Sequence, residues 1–165
     1  TIDFNTRKEV AVSKFDFLQD YVNSTSAAKR GSYTLNPGKS ESQIRQMEIE
    51  VDITIPAELK QFYAFSYSAR LDEYKILTIP EIVEQLAELR QTYGDLWKES
   101  IFPFAYLMGV GDFVAFDLEK SSADGLSIID CFHELPPDQW KVICFGLKTW
   151  LERMISSDFQ PFWLK

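Results

Sequence analysis

The chain is poor in the residues from which covalent scaffolds and metal centres are built. Its 165 residues include two cysteines, Cys131 and Cys144, and a single histidine, His133. Two cysteines are too few for a disulfide framework and are typical of proteins in a reducing compartment. One histidine excludes an imidazole-rich metal site. The sequence therefore predicts a cytoplasmic protein whose fold depends on packing rather than on cross-links.

Long apolar runs and positive charges are scarce as well. The longest apolar stretch, residues 102–110, is far too short to span a bilayer, and Pro103 and Gly109 interrupt it. Lysine and arginine number 17 against 25 aspartates and glutamates, which leaves a net charge of −8 and a pI near 4.7. A protein of this charge is repelled by phosphate, so we expect neither a nucleic-acid nor a membrane partner.

Aromatic residues and acidic residues are the two groups that are abundant. Aromatics make up 15% of the chain, with 13 phenylalanines, which favours one globular domain with a continuous core over disorder. Against Lys120 alone, the window of residues 99–138 holds eight acids: Glu99, Asp112, Asp117, Glu119, Asp124, Asp130, Glu134 and Asp138. The same window has the clearest strand patterns, so the sequence predicts that these acids lie on a sheet.

The N-terminal part of the chain shows one helical pattern and one linker pattern. Phe15, Leu18 and Tyr21 recur at helical spacing after Ser13, which suits a helix cap. Residues 29–42 are rich in Gly, Ser, Asn and Pro, as linkers are. We therefore predict that residues 1–40 form an N-terminal helix and a linker, and that residues 41–165 form the main domain.

The remaining patterns predict helices first, then strands, then a final helix. Helices are predicted near 57–67, 80–93 and 145–155, and strands near 73–77, 104–108, 112–118 and 126–133. Thr78 and Glu81 have the spacing of a capping box at the start of the second of these helices, and Gly94 stands at its end. This order predicts a single α+β domain with an antiparallel-rich mixed sheet and helices packed on one side of it.

The candidates for catalysis and metal binding are few. His133 and Cys144 offer a nucleophile pair, and the predicted helix start near Cys144 would favour a thiolate. Cys144 also lies in the apolar run 142–145, as a buried small residue would. Cys131 and His133 offer two metal ligands, but the paired spacing of structural zinc is missing. We predict structural roles for all three, with no catalytic residues, no metal and no cofactor.

Five acids of the window 99–138 are the candidate partner-binding residues: Asp112, Asp117, Glu119, Asp124 and Asp130. Asp117 and Glu119 alternate onto one strand face, and we expect Asp130 to lie across from them. Clustered carboxylates can act as acid and base or bind a divalent cation, but no calcium-loop pattern accompanies these. Two interpretations stay open, a solvated sheet face and a face that receives a basic protein.

Three motifs in a fixed order resemble the SUKH superfamily. In the first, EIEVDITIPAELKQF at 48–62, a helical glutamate and an Ile-Pro pair precede an aromatic-faced helix. The second is ILTIPEI at 76–82, a strand followed by a capped helix. The third runs from FPFAYL at 102–107 through Gly111 and Asp112 to Phe116 and Asp117, a strand pair with a Gly-Asp turn. The resemblance extends over residues 41–156, whereas the first forty residues and the segment 66–70 depart from the pattern.

The resemblance implies a SUKH-like α+β fold and a non-enzymatic, protein-binding role. The superfamily includes fungal cell-wall-assembly regulators and bacterial immunity proteins that neutralise toxins. Toxin nucleases are cationic because they bind phosphate, so an acidic inhibitor associates with them quickly and in a fixed orientation. We therefore expect an immunity protein for a basic nuclease toxin. The alternatives are a regulatory adaptor of cellular proteins, or a small-ligand-binding protein or hydrolase.

Overall fold

The computed structural model describes residues 13–25 and 32–164. Seven strands in this part of the chain form one sheet, ordered as in the sequence, and each is antiparallel to its neighbour. The strands are β1 (Tyr33–Leu35), β2 (Ala69–Leu71), β3 (Tyr74–Ile76), β4 (Ile101–Leu107), β5 (Asp112–Ser122), β6 (Gly125–Cys131) and β7 (Lys141–Phe145). The predicted α+β class is confirmed, and the pairings described are all antiparallel rather than mixed.

Within these described ranges five α-helices accompany the sheet: α1 (Asp16–Ser24), α2 (Glu41–Val51), α3 (Ala57–Phe65), α4 (Ile79–Tyr93) and α5 (Leu147–Ser156). The start of α4 confirms the predicted capping box, because the Thr78 hydroxyl accepts from the Glu81 amide and the Glu81 carboxylate accepts from the Thr78 amide. Ser40 and Gln43 form a second capping box on α2. Both boxes satisfy amides that would otherwise lack acceptors at the helix start.

The central strands are buried on both faces, which corrects the prediction that helices cover only one side of the sheet. In β5, the four consecutive residues 113–116 are buried, so neither face is open there. Phe104 stacks on Phe116 at 4.4 Å and meets Trp150 of α5 on one face. α4 packs on β4, and it shares a pocket with Phe113, which is three residues from Phe116 and therefore points to the other face. Residues 113–116 show no alternation of polar and apolar side chains because both faces of the strand are buried in the core.

The sheet has three more strands than the sequence patterns predicted. β1 and β2 have three residues each, too few for an alternating pattern to be visible. β7 includes Cys144, which therefore lies in a strand, two residues before Gly146 at the N-cap of α5.

The N-terminal segment packs on the same core as the rest of the chain. The predicted linker 29–42 begins outside the described residues, but its described part includes β1, which pairs with β2 at the edge of the sheet. Phe15 and Leu18 are fully buried, and the Phe15 ring lies edge-on to Phe62 of α3 at 5.2 Å. The division of the chain into 1–40 and 41–165 stays a prediction.

One carboxylate, that of Glu58, links α3 to β6 and to the start of α5. Glu58 of α3 accepts hydrogen bonds from the Leu126 amide of β6 at 2.8 Å and from the Leu147 amide of α5 at 2.9 Å. Next to it the backbone of Gly146 passes close to the carbonyl of Asp124, where an ideal Cβ atom would lie 2.1 Å from the oxygen. The β5–β6 hairpin, α3 and the start of α5 are thus held together at one point.

Candidate functional site

An acidic site lies where β5 begins and β6 ends. Asp112 is the first residue of β5, and its carboxylate Oδ1 accepts hydrogen bonds from the His133 amide at 2.9 Å and contacts the His133 ring Nδ1 at 2.6 Å. Asp112 is mostly buried, with a side chain 14% exposed, whereas the His133 side chain is 47% exposed. The hydrogen bond from the ring to this carboxylate raises the pKa of His133, because the bond favours the imidazolium.

Asp130 of β6 lies on the same face as Asp112 and is half-buried. It is opposite Val114 in the register, two residues along β5 from Asp112. Its Oδ2 accepts a hydrogen bond from the indole Nε1 of Trp163 in the C-terminal tail at 2.9 Å. Burial raises the pKa of Asp130 above its ordinary value, the Trp163 hydrogen bond lowers it and the nearby charge of Asp112 raises it further. The two carboxylates therefore repel each other in a partly dry environment.

Tyr74 of β3 is the third polar residue of this site, beside Asp112 and Asp130. The residue is 1% exposed, and its hydroxyl has no hydrogen-bond partner among the residues that the structure describes. Tyr74, Asp112, Asp130 and Trp163 share the lining of a cavity of about 20 Å³. Burial and the charges of the two aspartates raise the pKa of Tyr74, so its hydroxyl stays protonated at neutral pH.

A larger cleft of about 390 Å³ adjoins the cavity. The two spaces have Asp112, Asp130, Trp163 and Leu164 in common, and the cleft is further lined by Phe132, Leu135, Gln139, Trp140, Lys141, Val142 and Ile143. The indole of Trp140 donates to the carbonyls of Phe132 and Leu135, which fixes its ring in the wall. Apolar walls with a few convergent polar groups are typical of binding sites.

The other three predicted acids lie elsewhere. Asp117 is opposite Ser127 and is three residues from Val114, so it lies on the opposite face from Asp130 rather than across from it. Glu119 and Asp124 are exposed near the β5–β6 turn, and the Glu119 amide donates to Asp117 at 3.1 Å. The structure brings Asp112 and Asp130 together, and it places Asp117, Glu119 and Asp124 toward the other end of the hairpin.

The cysteines are buried and do not meet the histidine in a reactive arrangement. Burial raises the pKa of Cys144 to about 12 and raises that of Cys131 as well, so both stay thiols at neutral pH. Cys131 lies inside the sheet, whereas His133 lies after its end and is exposed. Among residues 13–25 and 32–164 no three His, Cys, Asp or Glu side chains are placed to hold a metal ion. In the same ranges no helix is long and apolar enough to cross a membrane.

A second groove, between α2 and α3, has a volume of about 510 Å³. Its charged lining residues have both signs: Lys39, Glu41, Arg45, Glu48 and Lys60. Glu48 is engaged within the fold, because it accepts from the Ile55 amide at 2.9 Å and pairs with Lys60 at 3.0 Å. The groove is larger than the acidic cleft, but it offers no concentration of one charge.

Sequence reasoning did not find Tyr74, Trp140 and Trp163 as parts of this site. Asp112 and His133 are 21 residues apart and meet only because the β5–β6 hairpin brings its two ends together. The apolar segment 159–164 was a signal, since several large apolar side chains together need a surface on which to pack. The surface on which Trp163 packs could be identified only from the tertiary structure.

The fold and this site define a class: a single-domain α+β protein with a seven-stranded antiparallel meander and an acidic, tryptophan-walled cleft at one end of the hairpin β5–β6. Residues 38–153 match the SMI1 / KNR4 family (SUKH-1), and the chain belongs to that family. The SUKH superfamily includes toxin-immunity proteins, and its members generally act through protein–protein interaction. No curated protein matches the chain significantly.

Proposed function

We propose that this protein is a non-enzymatic binding module that neutralises a basic toxin, most concretely a nuclease, as an immunity protein in the cytoplasm. The observation that carries the proposal is the pair Asp112 and Asp130 in the floor of an apolar cleft. Two carboxylates held in one place by a rigid hairpin offer a fixed target for positive charge.

The charge of the whole chain supports the same partner. The net charge of −8 attracts a cationic protein over several ångströms at physiological salt, where screening sets in over about 8 Å. Asp117, Glu119 and Asp124 extend the negative charge along the hairpin beyond the cleft. We propose that these three residues speed the approach of the partner and that Asp112 and Asp130 contact it.

The test begins with the gene next to the one that encodes this protein. Its product is expressed alone and together with this protein, and bacterial growth is followed. An immunity protein restores growth, and a catalytically inactive form of the neighbouring protein binds it in isothermal titration calorimetry. The double variant Asp112→Asn/Asp130→Asn is expected to lose protection.

The matched control removes two negative charges from the helical side, Glu41→Gln/Glu84→Gln, both at exposed positions. This control is expected to protect as well as the unchanged protein. Absence of a toxic neighbour, or toxicity that this protein does not relieve, contradicts the immunity function and favours the adaptor alternative.

A further inference from the structure

We propose that the cleft lined by Trp140 and Trp163 receives a lysine side chain of the protein partner, with its ammonium group in the small cavity beside Tyr74, Asp112 and Asp130. This inference rests on the proposed function, because it names the group of the basic partner that the acidic site recognises.

The cavity presents oxygens that can accept hydrogen bonds from a cation. Asp112 uses its Oδ1 toward His133, and Asp130 uses its Oδ2 toward Trp163. The second oxygen of each carboxylate has no hydrogen-bond partner within the described ranges of the chain. The Tyr74 hydroxyl, equally without a partner there, adds a third acceptor in the same cavity. An ammonium group has three donors and no acceptor, which matches this set.

The size of the cavity selects the kind of cation. About 20 Å³ is enough for one water-sized group, since a single water needs about 10–15 Å³ by the same measure. An ammonium group is of that size, whereas a planar guanidinium has four heavy atoms. The cavity therefore favours lysine over arginine.

The adjoining cleft suits the remainder of a lysine side chain. Its walls are mostly apolar, with Trp140, Ile143 and Leu164 among them. The four methylene groups of lysine are apolar and commonly pack against such surfaces while the charged head reaches a polar site. Lys141 of this chain also lines the cleft, but it is exposed and is not part of an ion pair among the residues described.

Electrostatics supply the reason for binding. Asp112 and Asp130 are close enough to perturb each other, and burial disfavours the ionised form of Asp130. A cation between them offsets both the repulsion and the desolvation, whereas water offsets only part of the desolvation. The site is thus complementary to a charged ligand rather than to a neutral one.

The experiment uses n-butylammonium as a probe, because it is a lysine side chain without its backbone. The probe is titrated into the full chain, and the indole N–H signals of the tryptophans are followed by ¹H–¹⁵N NMR. A saturable shift of the Trp163 indole is expected, since this group is bonded to Asp130. n-Butylguanidinium is expected to bind at least about tenfold more weakly because it overfills the cavity. n-Butanol, which has the same four-carbon stem without the charge, is expected to give no saturable shift.

Three variants locate the binding. Asp130→Asn is expected to abolish the shift, and Tyr74→Phe is expected to weaken binding by on the order of tenfold, because one acceptor for a charged donor is lost. Glu84→Gln is the control, since it removes one exposed acid on α4, outside the cleft. The inference is overturned if butylammonium and butanol act alike, if the guanidinium binds as tightly, or if Glu84→Gln weakens binding as much as Asp130→Asn.

The outcome of this titration is separate from that of the growth assay. If butylammonium does not bind but the neighbouring toxin is neutralised, the immunity function stands and its contact lies elsewhere. If the probe binds but no toxin is neutralised, the site takes a lysine of a different partner.

Discussion

The carboxylate of Glu58 links three elements that are far apart in the chain, α3, β6 and α5. Each oxygen accepts one backbone amide, from Leu126 and from Leu147. Leu147 is the first residue of α5, and its amide has no acceptor within the helix. A charged acceptor for two amides from separate elements is a strong interaction.

Replacing Glu58 by glutamine should therefore lower the free energy of unfolding by about 1–3 kcal/mol, because the new NH₂ group faces an amide donor and one bond is lost. Urea unfolding followed by circular dichroism measures the change. Glu119→Gln, at an exposed position of β5, serves as the control and should change the free energy of unfolding by less than about 0.5 kcal/mol. A Glu58 variant as stable as this control would mean that the bonds add nothing.

His133 offers a titration with an unambiguous signal, because it is the only histidine of the chain. Its hydrogen bond to Asp112 should place the NMR titration midpoint above 6.5, the ordinary value. The folded state then binds the proton more tightly than the unfolded state. The stability from this pair is complete below pH 6.5 and is lost as the pH rises through the raised pKa.

Asp112→Asn removes the carboxylate and should move the midpoint of His133 back toward 6.5. The same substitution should flatten the dependence of stability on pH in the range just above that value. A midpoint at or below 6.5 in the unchanged protein would show that the His133 ring is not bonded to Asp112 in solution.

The junction between β7 and α5 depends on a glycine at the helix start. Gly146 has a φ of +88°, and an added Cβ would lie 2.1 Å from the Asp124 carbonyl oxygen. Gly109, in the turn between β4 and β5, has a similar φ of +80° but no atom within 4 Å of its ideal Cβ position. The pair therefore separates the cost of backbone strain from the cost of a steric clash.

Gly146→Ala should lower the free energy of unfolding by more than about 3 kcal/mol, because strain and overpacking add. Gly109→Ala should cost only about 1 kcal/mol, from strain alone. Thermal or urea unfolding of both variants provides the comparison. Equal losses for the two substitutions would contradict the close approach at Gly146.

The described residues share one core, to which the N-terminal helix contributes. Leu18 of α1 is fully buried, and α1 lies against α5. Leu18→Ala should therefore cost about 2–5 kcal/mol, as substitutions in a core do. Asp20→Ala, at an exposed position of the same helix, should cost less than about 0.5 kcal/mol. If both variants unfold at the same denaturant concentration, residues 1–40 are a separate appendage.

The charge of the whole molecule should appear in the kinetics of association. With the inactive toxin from the growth assay as partner, Asp117→Asn/Glu119→Gln should lower the association rate constant and flatten its dependence on salt, with little change in folding stability. Stopped-flow measurements at several salt concentrations test this. Glu41→Gln/Glu84→Gln removes the same amount of charge from the helical side and should have the smaller effect. Equal slowing by the two variants would mean that only net charge matters.

Local patterns in the sequence were sufficient for the helices and the longer strands. The capping box of Thr78 and Glu81 and the apolar stripe of α4 lie within one element, so neighbouring residues alone specify them. The strands β4 to β6 were identified near their observed positions for the same reason. Three-residue strands such as β1 and β2 have no period to detect, and they form because they pair with neighbours.

The sequence by itself determined the class of this protein, its acidity and the order of its elements, because these depend on composition and on short-range spacing. Only the tertiary structure decided which acids act together. Strand register places Asp130 beside Asp112 and separates it from Asp117, and a shift of one residue would have reversed this. The tail likewise brings Trp163 to Asp130 across 33 positions of sequence. Such contacts depend on register and packing between distant segments, which no local pattern contains.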